Sequence, residues 1–144
     1  MSANPGGAEE GAVALDFSKL AELARGAAVL PVAVQDAATR EVLMIAYANL
    51  QAVEESLRLR RAVFWSTSRG CLWLKGETSG DILDLEEIRV NCYNNSLLYL
   101  VRLRASGSCH TKDPSGQPRY GCFYRRLDDE LKASMLRSPP YSGR

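Results

Sequence analysis

Three cysteines and one histidine are the residues of this chain best suited to chemistry. Cys92, Cys109 and Cys122 are separated by 16 and 12 residues, and His110, the only histidine, directly follows the second of them. Because no Cys-x-x-Cys pair is present, the spacing alone favours buried apolar thiols. The polar Gly/Ser loop around Cys109, the adjacent histidine and the three-ligand pattern of catalytic zinc favour a metal instead. Zinc would supply a hydroxide for attack on an electrophilic carbon.

His110 cannot readily share a metal with Cys109, because adjacent side chains in extended backbone point to opposite faces. Histidine exchanges a proton easily near neutral pH, which suits a base or proton shuttle beside an activated water. A surface histidine without a chemical role is the alternative on sequence alone. The fourth cysteine, Cys71, follows Gly70 in a predicted strand, and we assign it to packing.

A loop with a glycine at each end offers a second kind of site. Gly76-Glu77-Thr78-Ser79-Gly80 follows Lys75 and carries backbone N–H groups and hydroxyls that suit a phosphate. An ordinary turn is the simpler interpretation of this loop taken alone. Trp65 and Trp73 would be able to stack on a base, but side chains of this kind on paired strands more often belong to the core.

Length and composition predict a single domain in a reducing compartment. The chain has 144 residues, of which 46% are hydrophobic, and this is enough for one core. A net charge of +1 argues against an overall field that would attract nucleic acid or a membrane. Four cysteines without an apolar signal segment indicate reduced thiols in the cytoplasm. No run approaches the ~18 apolar residues that span a bilayer.

Apolar periodicity and turn residues predict the elements that position these side chains. Residues 1–14 are expected to be a disordered leader, 15–137 a domain and 138–144 a tail. Helices are predicted at 19–25, about 50–60 and 128–136. Strands are predicted at 31–36, 41–47, 62–68, 71–75, 81–91, 97–101 and 119–126. A long polar loop at 105–121 carries Cys109 and His110, and loops of this length are usually functional or disordered.

Segments spread in order from about 30 to 126 carry a common pattern. They are PVAVQD at 31–36, EVLM at 41–44, FWSTSR at 64–69, LWLKGETSG at 72–80, the Cys92 segment, CHT at 109–111 and GCFY at 121–124. Together these segments resemble the phosphoribosyl-AMP cyclohydrolase family of histidine biosynthesis. The Trp-x-Lys-Gly-Glu-Thr-Ser-Gly string that begins at Trp73 is the most specific of them.

This resemblance implies a fold and an assembly. It implies a small single-domain α+β protein, mainly β, built as a twisted sheet or pseudo-barrel with a few packed helices. It further implies an intertwined homodimer in which both subunits contribute to one zinc. By position, the zinc ligands implied for this chain are Cys92, Cys109 and Cys122.

The resemblance also implies a reaction. Zinc-bound hydroxide would attack purine C6 of 1-(5-phosphoribosyl)-AMP and open the adenine ring to the formimino-carboxamide ribonucleotide. His110 matches the functional histidine of the family. The implied substrate-binding residues are Arg69, Trp73, Lys75, Gly76, Glu77, Thr78 and Ser79. The substrate is a small nucleotide, and neither nucleic acid nor a membrane is expected as a partner.

The sequence departs from the family at the first cysteine. The family usually shows Asp-Cys-Asp-x-Asp, whose aspartates bind magnesium, whereas this chain has Asn91, Tyr93 and Asn95 at those positions. A magnesium site without carboxylates loses the charge that favours dehydration of the ion. Either other acids, such as Glu77, Asp81 or Asp84, replace the missing ones, or the activity is lost or changed. A second departure is an insertion at 112–120.

Two further functions stay open on the sequence. One is a related hydrolase that acts on another nucleotide or heterocycle. The other is a catalytically silent, zinc-stabilised dimer that serves as a binding module.

Overall fold

The computed structural model describes residues 10–15, 22–23 and 26–136 of the chain. Its strands are β1 (Gly11–Ala12), β2 (Leu30–Asp36), β3 (Val42–Ala48), β4 (Val63–Ser66), β5 (Cys71–Leu74), β6 (Leu83–Val90), β7 (Leu97–Leu103), β8 (Arg125–Leu127) and β9 (Lys132–Met135). Helix α1 (Leu50–Leu59) connects β3 to β4. The predicted α+β class, mainly β, is confirmed.

A four-stranded sheet of order β3-β2-β7-β6 forms the centre of the molecule. Strands β2 and β3 form an antiparallel hairpin, β7 joins β2 in parallel, and β6 pairs antiparallel with β7. The hairpin β4-β5 and a sheet of order β1-β9-β8 complete the described part. The described strands thus form three open sheets, which differs from the pseudo-barrel that the resemblance implies.

The core lies between the central sheet, α1 and the β4-β5 hairpin. Alternation along β2 buries Val32 and Val34 on one face, as the sequence predicts. The ring of Phe64 stacks on Tyr99 at 5.6 Å and lies tilted against Trp73 at 5.4 Å between ring centroids. Because aromatic pairs of this kind add to the gain from apolar burial, they fix the hairpin against β7.

Helix α1 confirms the prediction at 50–60, and its position follows from two polar side chains. Asn49 caps the helix, since its side chain accepts a hydrogen bond from the N–H of Ala52. The buried Ser56 hydroxyl accepts from the N–H of Val63 over 2.9 Å and lies 3.2 Å from the Tyr99 hydroxyl. One serine therefore joins the helix to β4 and to β7.

The predicted helix at 128–136 is wrong. Asp128 accepts hydrogen bonds from the N–H groups of Glu130 and Lys132 through its side chain, and Leu131 has φ 60°. These features make a tight turn, after which Lys132–Met135 forms β9 between β1 and β8. Turn chemistry and strand pairing prevail here over the helical propensity of the segment.

The predicted strand at 119–126 is also largely wrong. Only Arg125–Leu127 is a strand, and Cys122 lies in irregular backbone whose N–H donates to the carbonyl of Leu43 over 2.7 Å. Gly11 and Ala12, inside the predicted disordered leader, instead form a strand paired with β9. The predicted helix at 19–25 and the tail at 138–144 fall mainly outside the described residues. Within the described ranges, no helix combines the length and the apolar character needed to cross a membrane.

Candidate functional site

A cavity of about 770 Å³ lies between the β4-β5 hairpin, the end of β3 and the loop that follows β7. It gathers residues that are far apart in the sequence. Of the predicted site residues, those that line it are Arg69, Trp73, Lys75, Gly76, Glu77, Thr78, Ser79, His110 and Cys122. Residues that sequence reasoning did not assign to a site also line it, among them Met44, Tyr47, Ser66, Thr67, Ser68 and Ser108.

One wall of the cavity is the end of β5 and the loop after it. Lys75 is 6% exposed, and its Nζ donates to the backbone carbonyl of Asp81 over 3.2 Å. Gly76 has φ +83°, and a Cβ atom there would lie 2.4 Å from the carbonyl carbon of Asp81. The loop is therefore folded tightly on itself, and this is why it requires a glycine at 76.

Another part of the wall comes from the long loop at 105–121, which is ordered by its own hydrogen bonds. The carbonyl of Arg119 accepts from the N–H of Cys109 over 3.0 Å, and the carbonyl of Thr111 accepts from the N–H of Arg119 over 3.0 Å. The loop thus doubles back beside the cysteine. At Gly107 a Cβ atom would lie 2.4 Å from the carbonyl oxygen of Arg119, so the two segments are in close contact.

Two polar groups hold this loop in place, one by bonds within the loop and one by a bond to the central sheet. Within the insertion, the Asp113 side chain accepts from the N–H groups of Ser115 and Gln117 and closes a local turn. At its end, the Tyr120 hydroxyl donates to the buried carboxylate of Asp36 at the end of β2. The insertion is therefore a folded segment with an anchor in the central sheet.

The side chains of Cys109 and Cys122 are hydrogen-bonded to each other. Hydrogen bonding with Cys122 lowers the pKa of Cys109 to about 5, against the effect of burial, and Thr111 and the nearby His110 add to the shift. The same contact with Cys109 raises the pKa of Cys122, and burial acts in the same direction. The Cys109 sulfur also lies 2.9 Å from the Thr111 hydroxyl oxygen. The lowered pKa of Cys109 favours its thiolate, the form that binds soft metals.

Lys75 belongs to the same electrostatic environment. Burial lowers the pKa of its ammonium, while the charges of Asp81, Cys122 and Cys109 oppose this shift. The carboxylate oxygen Oδ2 of Asp81 is buried and has no hydrogen-bond partner. A buried cation therefore faces both a buried carboxylate and the cysteine pair.

The third predicted zinc ligand is elsewhere. Cys92 is exposed on a turn between β6 and β7 and does not line the cavity. Across residues 10–15, 22–23 and 26–136, no three His, Cys, Asp or Glu side chains come together to hold a metal. The two adjacent thiols are soft donors of the kind that zinc prefers.

The residues at the implied magnesium positions serve the turn itself. The Asn91 side chain accepts from the N–H groups of Asn95 and Ser96 over 2.8 and 2.9 Å, and its amide donates to Asn95 Oδ1 over 2.7 Å. Tyr93 is 81% exposed. With their amide groups engaged and no carboxylate present, these residues do not fit a magnesium ion.

The serines and threonine at 66–68 were the main omission of the sequence reasoning. They belong to the FWSTSR segment, but only Arg69 of its polar residues was assigned to the substrate. The structure places Ser66, Thr67 and Ser68 at the turn of the β4-β5 hairpin, on the cavity wall. The sequence did contain a signal for these residues, since three hydroxyl side chains stand directly before Arg69 at a predicted hairpin turn.

Comparisons with known proteins agree with the motifs. The sequence profile of the phosphoribosyl-AMP cyclohydrolase family matches residues 44–124. A phosphoribosyl-AMP cyclohydrolase of Archaeoglobus fulgidus is 47% identical over 105 residues, which cover 72% of this chain and 91% of that protein. One from Halobacterium salinarum is 40% identical and covers 91% of this chain and 96% of its own length. A histidine biosynthesis bifunctional protein of Thermus thermophilus is 46% identical over 69% of this chain and 43% of its own length.

Proposed function

Because the chain belongs to the phosphoribosyl-AMP cyclohydrolase family, we propose that it hydrolyses the adenine ring of 1-(5-phosphoribosyl)-AMP in histidine biosynthesis. One observation carries this proposal: a single cavity holds His110, Cys122 and the Lys75–Ser79 loop, with Cys109 directly behind. Groups for proton transfer, metal binding and phosphate binding thus converge from distant parts of the chain.

Zinc is the metal that we propose for the cysteine pair, with Cys92 of a second copy as the third ligand. Support comes from the paired thiols, from the lowered pKa of Cys109 and from the exposure of Cys92 on its turn. Val90 and Tyr93 beside Cys92 are 58% and 81% exposed, which suits a surface that a second subunit covers. We therefore propose a homodimer. We also propose a cytoplasmic location, because thiols stay reduced there.

The reaction adds water across one bond of the purine. When bound, zinc would supply a nucleophilic water at neutral pH. The oxygen adds to C6, the bond between C6 and ring nitrogen N1 breaks, and N1 takes up the proton that water loses. His110 is placed to move that proton, because it lines the cavity next to Cys109 and is the histidine of the chain.

The two phosphates of the substrate need separate anchors. At one end of the cavity, Arg69 lies with the hydroxyls of Thr67 and Ser68 at the hairpin turn. On another part of the wall, Thr78 and Ser79 present hydroxyls in the glycine-bounded loop. We propose that each group takes one phosphate and that Trp73, packed on Phe64 on one side, stacks on the base.

Growth of a histidine auxotroph lacking this step tests the proposed function. Expression of this chain should restore growth without histidine, and the purified protein should convert phosphoribosyl-AMP to the formimino product. A folded, zinc-loaded protein that neither restores growth nor converts this nucleotide contradicts the proposal. In that case turnover of another nucleotide would favour the related hydrolase, and zinc-bound dimers without turnover would favour the binding module.

A further inference from the structure

We propose that Lys75 is a positioning residue for the zinc ligands, in addition to any contact with substrate, and that its buried charge stabilises the metal-bound cysteine cluster. The inference rests on the proposed zinc site. Neither the sequence motif that contains Lys75 nor its position beside a loop that suits a phosphate indicates this role.

The first support is the geometry of the ammonium group. Lys75 is 6% exposed, and its Nζ is held by the carbonyl of Asp81 over 3.2 Å. It lines the cavity together with Cys122. The ammonium group is therefore buried and held in place within the cavity that Cys122 also lines.

The second support is charge. Three thiolates around Zn²⁺ carry a net charge of −1, and a buried negative charge is costly unless a cation lies near it. In the described part of the chain, the buried cations are Lys75 and Arg119. Arg119 lies over the ring of Tyr124 at 4.2 Å, while the charge of Lys75 acts on both cysteines. Lys75 is thus the cation placed to offset the cluster.

The third support is the buried carboxylate of Asp81. Asp81 is 4% exposed, and its Oδ2 has no hydrogen-bond partner. Its charge acts on the ammonium of Lys75, yet the hydrogen bond from Nζ goes to the backbone carbonyl. Asp81 therefore acts on Lys75 through the charge of its carboxylate, and the hydrogen bond is left to the backbone carbonyl.

Zinc affinity of the full-length dimer tests the inference without relying on turnover. The affinity of wild type, Lys75→Met and Lys75→Arg is measured for zinc alone, by competition with a chromogenic chelator. Lys112→Met is the matched control, because Lys112 is exposed, acts electrostatically on Lys75 and does not line the cavity. Lys75→Met should weaken zinc binding about 10-fold or more, as loss of a group that supports metal ligands commonly does. Lys75→Arg should keep most of the affinity, and Lys112→Met should match wild type.

Kinetics separate this role from phosphate binding. A residue that supports the metal changes kcat, whereas a residue that only holds a phosphate raises KM. Wild-type zinc affinity in Lys75→Met, with KM alone raised, would overturn the inference and leave the proposed function intact. If the wild-type protein binds no zinc, both the proposed zinc site and this inference are wrong.

A second variant is used in case Lys75→Met does not fold. Lys75→Gln removes the charge and keeps a polar group that can donate to the Asp81 carbonyl. We expect it to bind zinc more weakly than wild type. Wild-type zinc affinity in folded Lys75→Gln contradicts the inference, because the charge of the lysine would then not support the cysteine cluster.

Discussion

The side-chain amide of Asn91 donates a hydrogen bond to Oδ1 of Asn95 over 2.7 Å and closes the turn that displays Cys92. The Asn91 oxygen also accepts from two backbone N–H groups of the same turn. The turn is therefore held by the neutral amide groups of these two asparagines.

Asn91→Ala should therefore destabilise the protein. The substitution removes the acceptor for the N–H groups of Asn95 and Ser96, and we expect the free energy of unfolding in urea to fall by about 1–2 kcal/mol. Gln51→Ala is the control, because Gln51 is exposed on helix α1 away from this turn and its loss should change stability little. A marked gain in wild-type stability on addition of magnesium would contradict the account of this turn.

The turns show where sequence reasoning succeeds and where it fails. Asn49 is a recognisable helix cap, and the alternation of Val32 and Val34 follows from the strand period alone, so α1 and β2 were predictable. Asp128 was read as an acid at a helix start, whereas its side chain closes a turn before β9. That choice depends on the partners of β9 in the sheet, which the local sequence does not contain.

The candidate site, too, was predictable from the local sequence only in part. Spacing alone left zinc undecided, and the family resemblance supplied the ligand set. The contact between Cys109 and Cys122 arises because the loop doubles back through the Arg119 carbonyl, and Cys122 is held to β3 by the Leu43 carbonyl. Long-range hydrogen bonds of this kind leave no periodic signal in the sequence. A residue from a second subunit, as proposed for Cys92, leaves none either.

Because of Tyr99, the stability of the protein should fall at alkaline pH. Burial raises the pKa of Tyr99 above its ordinary value of 10.0, although the hydrogen bond with Ser56 acts in the opposite direction. The unfolded chain thus loses this proton at lower pH than the folded protein, so the stability contributed by Tyr99 is complete below pH 10 and falls as the pH rises further. Relative to Tyr99→Phe, the wild-type free energy of unfolding should decrease between about pH 9 and about pH 11. Parallel pH curves for the two proteins would refute this.

Two glycines of the 76–80 loop form a matched pair. Both have positive φ, +83° at Gly76 and +84° at Gly80, but a Cβ atom at Gly76 would meet Asp81 and one at Gly80 would meet nothing. Gly80→Ala should cost about 1–2 kcal/mol of stability through backbone strain alone. Gly76→Ala should cost more than about 3 kcal/mol, because backbone atoms must also move. Equal losses in urea unfolding would show that the close contact at Gly76 is not important.

His110→Asn tests the proton transfer. Asparagine keeps the polarity of the side chain but cannot exchange a proton, so kcat should fall by about 10²–10⁴-fold. Zinc content and KM should stay near the wild-type values, because His110 is assigned neither to the metal nor to the phosphates. Ser115→Ala, in the exposed insertion turn, is a control for nonspecific effects of changes in this loop. A fall in zinc content equal to the fall in activity would make His110 a ligand instead.

Zinc shared between two subunits is the central claim, and mixed dimers test it most directly. Cys92→Ser and Cys122→Ser homodimers should each bind little zinc and lack activity. When the two variants are unfolded together and refolded, half of the dimers carry one intact site, so about one quarter of the wild-type zinc and activity should return. No recovery in the mixture, or full zinc binding by either single variant, would contradict a site built from Cys109 and Cys122 of one subunit and Cys92 of the other.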